Sequence, residues 1–370
     1  MTSATAETPT WMVCLGFAIP LRVVGFTRAG FNLLNLGHPR SSVVLSHIST
    51  FGNQMAKSQS SGFKFIDLFA GVGGMRLGFE KAGGTCVFSS EWDKYSQKTY
   101  AANFSEVPHG DITQIHESEI PKFDVMLAGF PCQPFSSIGK RQGFDHPTQG
   151  TLFYDVVRIM RHHRNRAFLL ENVAGLQTHA GGQTFEIIKE ALTELGYVFD
   201  YKVLDAADFG VPQHRQRIYI VGYRTRKGRG GHRKLEWPKG SDNPTTIGKF
   251  VQSEVVGHSI SRHLQDVYIY KKDDGRPQVI DPNSDIQVKT LVASYHKIQR
   301  LTGTFVRDGE TGLRLLTADE CKAIMGFPED FKIPVSRTQM YRQMGNSVAV
   351  PVIGAIASVM TKEMESRFGK

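Results

Sequence analysis

The feature that most restricts the fold is an alternation that begins at Phe63. The run Phe63-Lys64-Phe65-Ile66-Asp67-Leu68-Phe69 is apolar enough for a strand buried on both faces, and a Gly-rich turn and a helical stretch, Met75 to Lys81, follow it. Thr85 to Ser89 reads as the next strand and Asp93 to Asn103 as a helix. The pattern continues with a strand at Asp124 to Ala128, a helix at Gly150 to His163 and a strand at Ala167 to Glu171. A helix at Thr184 to Leu195 and a strand at Arg217 to Gly222 complete it. Strands that alternate with helices bury both faces of a mostly parallel sheet, so the expected class is α/β, an open sheet with helices on both faces.

What flanks this alternation differs from it. Residues 1–62 show no sustained helical or alternating period and end in the polar run Lys57-Ser58-Gln59-Ser60-Ser61-Gly62. They are expected to be a disordered or mis-started extension, with the fold beginning near Met55; a docking or targeting arm is the alternative. From Arg224 to Lys234 six cations alternate with glycines, which suits either a solvated linker or a strap along a DNA backbone. Residues 235–300 are turn-rich, with β-like pieces at Val267 to Tyr270 and Lys289 to Val292, and Thr317 to Met325 and Val348 to Glu363 read as helices returning to the large half.

The 370 residues leave room for one large domain and a smaller one. Apolar residues at 40% and charged residues at 21% permit an ordinary packed core. Lys plus Arg outnumber Asp plus Glu by 44 to 35, a net charge of +9, which suits a polyanionic partner without requiring one. Cys14, Cys86, Cys132 and Cys321 are too far apart for paired metal ligation and too few for a disulfide framework. No metal is expected, and the composition suits a reducing cytoplasm. No uninterrupted apolar run reaches the roughly 20 residues of a membrane span; the best stretch, Trp11 to Phe26, carries Arg22 and lacks the basic start of a signal peptide.

Asp67-Leu68-Phe69-Ala70-Gly71-Val72-Gly73-Gly74 lies between a strand and a helix, where glycines let the backbone approach a ligand. Such a turn alone is shared by many nucleotide sites and structural turns. It lacks the Lys-Ser/Thr pair of a phosphate-binding loop. The next strand ends in Glu91-Trp92, a carboxylate suited to ribose hydroxyls and an indole suited to an adenine face, although a core tryptophan and a helix-capping glutamate fit the same residues. Gly110-Asp111-Ile112 offers a further carboxylate for the adenine amine.

The strand Asp124 to Ala128 runs into Gly129-Phe130-Pro131-Cys132-Gln133-Pro134-Phe135-Ser136. Open α/β sheets bind ligands outside the carboxyl ends of their strands, so Cys132 falls where chemistry is expected. A lone cysteine is more often a small buried hydrophobe, but the flanking prolines and loop position argue against that here. DLFAGVGG, GFPCQPFS, GTLF at Gly150 to Phe153, ENV at Glu171 to Val173, QHRQR at Gln213 to Arg217 and MGNSV at Met344 to Val348 occur in one order. In that order they resemble the bacterial cytosine-5 DNA methyltransferases, over residues 63 to about 224 and about 285 to 361.

The resemblance implies a Rossmann-like methyltransferase fold with a smaller DNA-recognition domain: 63–224 catalytic and cofactor-binding, 225–300 target recognition, 301–370 a return to the catalytic domain. It implies S-adenosyl-L-methionine as cofactor, and Cys132 as a thiolate adding to carbon 6 of a flipped cytosine. Glu171 would hold nitrogen 3 and the exocyclic amine, and Arg217, with Arg215 weighted below it, the carbonyl at carbon 2. Phe69, Gly71, Gly73, Glu91, Trp92, Asp111, Ile112, Pro131, Leu152, Asn346 and Ser347 would line the cofactor pocket. Gln133, Ser136, Lys140 and Arg141 would touch DNA from a mobile loop spanning Ser136 to Phe144. Arg262, Gln265, Arg276 and Gln278 carry donors that suit guanine or adenine and equally suit solvent. Double-stranded DNA is the expected partner, with no membrane, a cognate restriction endonuclease encoded nearby as a candidate, and the chain a monomer. A transfer-RNA methyltransferase and a catalytically dead DNA-binding homologue are the competing readings; the intact Cys132, Glu171 and Arg217 set speaks against the second.

Overall fold

The computed structural model describes residues 62–131, 152–225 and 230–369. The chain divides into Met1–Lys57 and Ser58–Lys370, and the described residues belong to the second unit. The expectations for residues 1–61, for Cys132, Gln133, Ser136, Lys140 and Arg141, and for Arg226, Lys227 and Arg229 lie outside the described residues.

The elements follow the sequence in order: β1 Lys64–Leu68, α1 Gly74–Lys81, β2 Thr85–Ser90, α2 Lys94–Phe104, β3 Val125–Ala128, α3 Phe153–His163 and β4 Ala167–Val173. They continue with α4 Gln183–Glu194, β5 Tyr197–Asp205, β6 Gln216–Arg224 and the two-residue β7 Gly231–His232. Then come α5 Arg262–Leu264, β8 Gln278–Ile280, β9 Thr304–Val306, α6 Ala318–Met325, α7 Arg337–Asn346 and α8 Val350–Phe368.

Seven strands form one sheet in the order β2-β1-β3-β4-β6-β5-β7. β2, β1, β3 and β4 are mutually parallel, and β6 runs antiparallel to both β4 and β5, so it is the reversed strand of an otherwise parallel sheet. Successive residues face opposite sides of a strand. Ile66, Leu68, Met126, Ala128, Phe168 and Leu170 therefore meet α3 and α4 on one face. Phe65, Val125, Leu127, Ala167 and Leu169 meet Met75 and Phe79 of α1 and the apolar stripe of α8 on the other. The stretch Arg337–Phe368 is long and apolar enough to pass for a membrane span, but its α8 residues Val352, Ile353, Ile356 and Met360 are buried in this core. The strand order changes direction between β1 and β3, and the crevice at such a switch point, beyond the carboxyl ends of the strands, is where ligands of this class of sheet bind.

A third apolar cluster joins Ile247, Ile260, Ile269 and Phe305 to Leu316, Ile324, Met340 and Met344, and takes in Val72 from the Gly-rich turn. Regular structure is sparse here: β8 and β9 are three-residue strands paired only with each other. The β-like reading of Val267 to Tyr270 is corrected, since Gln265–Ile269 continues α5 as a wide helical turn that buries Gln265 and Ile269. Lys289 to Val292 forms no strand; a single bridge, Gln213 to Val288, lies next to it. Strand β5 has no counterpart among the expected elements, because Asp200 and Lys202 interrupt its apolar run. Asp200 accepts hydrogen bonds from Leu235 N and Trp237 Nε1, both at 2.9 Å, and pairs with His232, so the described end of the basic bridge is anchored to the sheet.

Candidate active site

The Gly-rich turn, the end of β2 and residues 109–112 converge. Ala70 N donates to Ser90 O at 3.0 Å, and Glu91 N donates to His109 O at 2.8 Å. The Ser90 hydroxyl donates to Gly110 O at 2.8 Å. Glu91 is buried, and its two carboxylate oxygens accept from Gly71 N at 2.8 Å and Asp93 N at 2.7 Å. Burial raises its pKa, opposed by those main-chain donors. Helix α2 is capped by Asp93, which accepts from Ser96 N at 2.8 Å, so Glu91 is not the cap. Trp92 is not in the core: its side chain is 78% exposed. At Gly71, with φ +56°, a Cβ would meet nothing within 4 Å, so the backbone there borders open space. An exposed indole, a fixed carboxylate and an open Gly-rich turn fit the adenosine part of a cofactor. Asp111 caps the short helical turn at Ile112 through Thr113 N, with Ile112 buried beneath it. Asn346 is exposed and Ser347 half-buried at the end of α7. A Cβ on Gly74 would lie 2.8 Å from Val348 Cγ2 and 3.0 Å from Ser347 Oγ, which sets the MGNSV segment against the same turn.

The second cluster lies at the carboxyl ends of β3 and β4. Glu171 and Arg217 meet diagonally across the β4–β6 ladder, where Glu171 is opposite Tyr219 and Arg217 opposite Val173, with Nε to Oε1 at 3.3 Å and both side chains largely buried. Burial raises the Glu171 carboxyl above its ordinary value, and the charges of Arg217 and Arg215 oppose the rise. A Cβ on Gly129 would sit 3.7 Å from Glu171 Oε2, so the segment that leads into Pro131 runs beside this carboxylate. Asn172 donates through Nδ2 to Phe130 O at 2.9 Å and ties β4 to that segment. A separate cavity of about 490 Å³, lined by Lys64, Lys122, Phe123 and His162 among others, lies at the amino-terminal ends of β1 and β3, away from this crevice.

The profile of the C-5 cytosine-specific DNA methylases matches residues 63–362. The chain belongs to that family. It is 55% identical over 307 residues to the Type II methyltransferase M.MspI of a Moraxella species, covering 83% of this chain and 72% of the relative. It is 56% identical over 315 residues to M.BsuFI of Bacillus subtilis, covering 84% and 76%. Among solved structures, a Spodoptera frugiperda DNMT2 variant superposes with a TM-score of 0.65 at 21% identity, covering 81% of this chain and 99% of that one. Schizosaccharomyces pombe Dnmt2 does so with a TM-score of 0.64 at 19% identity, covering 83% and 99%; these two likenesses carry the fold alone. The protein is a DNA cytosine-5 methyltransferase.

In this methyltransferase the charge of Arg215 acts on Glu171 and Arg217, while its guanidinium is engaged by the main chain. Arg215 is 3% exposed, and its guanidinium donates to Leu291 O and Gly345 O, each at 3.1 Å, and to Ser347 O. Three carbonyls from two distant segments hold it, so its role is to join the start of β6 to the MGNSV end of α7. Gln213 acts in the same way: its side chain donates to Ile324 O at 2.8 Å and accepts from Leu291 N at 2.7 Å. Alternate residues of QHRQR thus divide between architecture and chemistry. Sequence reasoning missed the joints at Gln213 and Asn172, although both lie inside the quoted motifs.

The side-chain amides of Gln265, buried, and Gln278, half-buried, are engaged within the protein. Gln265 is buried and donates to Ile260 O at 2.6 Å and to Thr311. Gln278 donates to Gln287 O at 3.0 Å and accepts from Lys289 N and the Thr304 hydroxyl. Arg262 and Arg276 are exposed. Pro131 is exposed, and Phe69 and Leu152 are half-buried near the crevice strands.

Proposed function

We propose that this methyltransferase modifies carbon 5 of a cytosine within a specific double-stranded DNA site, with Cys132 as a transient covalent nucleophile. The observation that carries the reading is the Glu171–Arg217 pair on β4 and β6, beside Gly129 at the carboxyl end of β3 and three residues before Cys132. S-adenosyl-L-methionine, held by Glu91, Trp92, Asp111 and the Gly-rich turn, would supply the methyl group. The target base is paired inside a duplex and must be flipped out to reach the crevice. Carbon 5 of cytosine is too weakly nucleophilic to react directly. The Cys132 thiolate adds to carbon 6, the electron pair moves to carbon 5, and Glu171 hydrogen-bonds nitrogen 3 as it gains electron density. Burial favours the protonated form of Glu171 that can donate there. Arg217 holds the carbonyl at carbon 2. Once carbon 5 is methylated, loss of its proton and departure of the thiolate restore the aromatic ring.

The Type II names of the similar methyltransferases support a modification enzyme of a restriction–modification system; a monomer in the cytoplasm, with a cognate endonuclease encoded nearby, is the form we propose for it. The mechanism is tested with duplex DNA carrying 5-fluorocytosine at the target. Fluorine cannot leave as a cation, so the adduct persists, and a complex that survives denaturing electrophoresis is expected only with S-adenosylmethionine present. Cys132→Ser should abolish turnover and trapping together, and Glu171→Gln should keep DNA binding while slowing turnover by roughly a hundredfold or more. Wild-type turnover in Cys132→Ser would refute the covalent route, and methyl transfer to transfer RNA in place of duplex DNA would refute the substrate.

A further inference from the structure

Away from the crevice, the surface around residues 267–276 mixes exposed apolar and cationic side chains. Val267, Tyr270 and Leu301 are 53%, 50% and 56% exposed, and Lys271 and Arg276 are exposed in the same stretch of chain. Apolar side chains suit the thymine methyl and base edges, and cations suit phosphates and guanine.

The loop that carries them is held from beneath. Arg300 is 4% exposed, and every hydrogen bond it makes goes to this one loop. Its Nε donates to Ile269 O at 2.8 Å, and Nη2 donates to Lys272 O at 2.7 Å. The guanidinium grips the Asp274 carboxylate with two nitrogens, Nη1 to Oδ2 at 2.9 Å and Nη2 to Oδ1. A planar guanidinium bonded at three points fixes the loop's path, as a lysine could not. Asp274 passes the restraint on, since its Oδ1 also accepts from Arg276 N at 3.1 Å. Among the described residues no hydrogen bond or ion pair holds the Arg276 guanidinium itself. With its path fixed, the loop has little main-chain entropy left to lose on meeting a ligand, and the arginine head is free to reach one.

The loop also lies close to the catalytic strand. Val288 bridges Gln213, in the segment that leads into β6 and Arg217. On the other flank of Val288 the Gln278 side chain bonds Gln287 O and Lys289 N. Arg276 is two residues before Gln278, so the loop continues from the segment that flanks QHRQR.

We propose that Tyr270–Arg276 is a base-reading loop of this methyltransferase, in which Arg276 selects a guanine near the target cytosine through O6 and N7. Arg300, acting through Asp274, is its positioning residue. The inference rests on the reading above that the chain methylates a specific duplex site.

The test uses the full chain and a pool of duplexes in which the bases around one cytosine are randomised, with methylation read molecule by molecule by bisulfite sequencing. Wild type should methylate a restricted set that requires guanine at one or more flanking positions. Arg276→Ala should lose on the order of ten- to a hundredfold of that preference at one position and keep the others. Asp274→Asn and Arg300→Lys should relax the same position less strongly, with cofactor affinity unchanged. If Arg300→Lys fails to fold, Asp274→Asn, on the exposed loop, carries the positioning test. Unchanged base preference in Arg276→Ala overturns the assignment of the reader, and relaxation at a different position in Asp274→Asn overturns the clamp. A wild type that methylates no cytosine in the pool refutes the function itself, an outcome distinct from either.

Discussion

The sheet half and the segment from Ser241 to Asn346 use buried polar side chains for opposite purposes. In the sheet, ladders between β1, β2, β3, β4, β5 and β6 satisfy the backbone, and apolar side chains fill both faces. A buried carboxylate there, such as Glu91 or Glu171, sits at a strand end and is available to a ligand. The other segment has two three-residue strands, and its backbone must find partners elsewhere. Gln265, Gln278, Arg300 and Arg314 supply them, and Arg314 is the extreme case. It is wholly buried and bonds Asp308, both oxygens of Glu320, and the carbonyls of Gln252 and Leu315. Where ladders are short, buried polar residues are struts throughout; in the sheet half the candidates for chemistry are confined to strand ends, as Glu91 and Glu171 are.

Arg314→Ala offers the hardest blow to that contrast. Removing the cation leaves the Glu320 carboxylate buried without its partner, which is expected to lower stability by about 3–5 kcal/mol. Urea unfolding should show this as a large fall in midpoint. Glu171→Gln, a buried carboxylate of the sheet half, should lose turnover and no more than about 1 kcal/mol of stability. Equal destabilisation by the two substitutions would erase the distinction.

Asp67 sharpens it from within the sheet. Burial raises its pKa to about 7, with Arg76 opposing the rise, and Oδ2 has no hydrogen-bond partner. The folded-state value is above the unfolded one, so between pH about 4 and about 7 the folded chain keeps a proton that the unfolded chain has released. The stability this group contributes is fully present below pH about 4 and is lost as pH rises to about 7. At roughly 1.4 kcal/mol per pH unit the full window amounts to a few kcal/mol. Asp67→Asn should melt close to wild type at pH 4 and above it at pH 8. A difference that does not grow with pH would show that Asp67 is ionised in the folded chain.

The same contrast explains what could be read from the sequence. The strands β1, β3, β4 and β6 are legible because burial on both faces writes a mostly apolar run, broken in β1 only by Asp67, and their ends carry the Gly-rich turn, Pro131, Glu171 and Arg217. β5 is not, since the charged Asp200 and Lys202 it carries disguise it. In the loop-rich segment, hydrophobic period has little to report, and Val267 to Tyr270 imitates a strand while closing a helical turn. Gln265, Gln278 and Arg215 have donors suited to a base, and only three-dimensional contacts reveal that main-chain carbonyls already occupy them. Donor chemistry names what a side chain can bind; burial decides what it does bind.

The smallest expected effect concerns Trp92. Its indole is 78% exposed, which is unusual for so large an apolar surface, and it follows directly on the fixed carboxylate of Glu91. A core tryptophan would lose several kcal/mol of stability on truncation. An exposed one should lose almost none, so Trp92→Ala is expected to melt within about 0.5 kcal/mol of wild type. If the indole is a stacking face for adenine, the same change should weaken S-adenosylmethionine binding by about 1 kcal/mol, roughly fivefold in Kd by calorimetry. Trp92→Phe keeps a ring and should recover most of that loss. Tyr270→Ala, at an exposed aromatic in the other segment, should leave cofactor affinity alone and alter only discrimination among duplexes. Cofactor binding that is indifferent to Trp92→Ala, or sensitive to Tyr270→Ala, would mean that the two exposed aromatics do not divide cofactor from DNA as their positions imply.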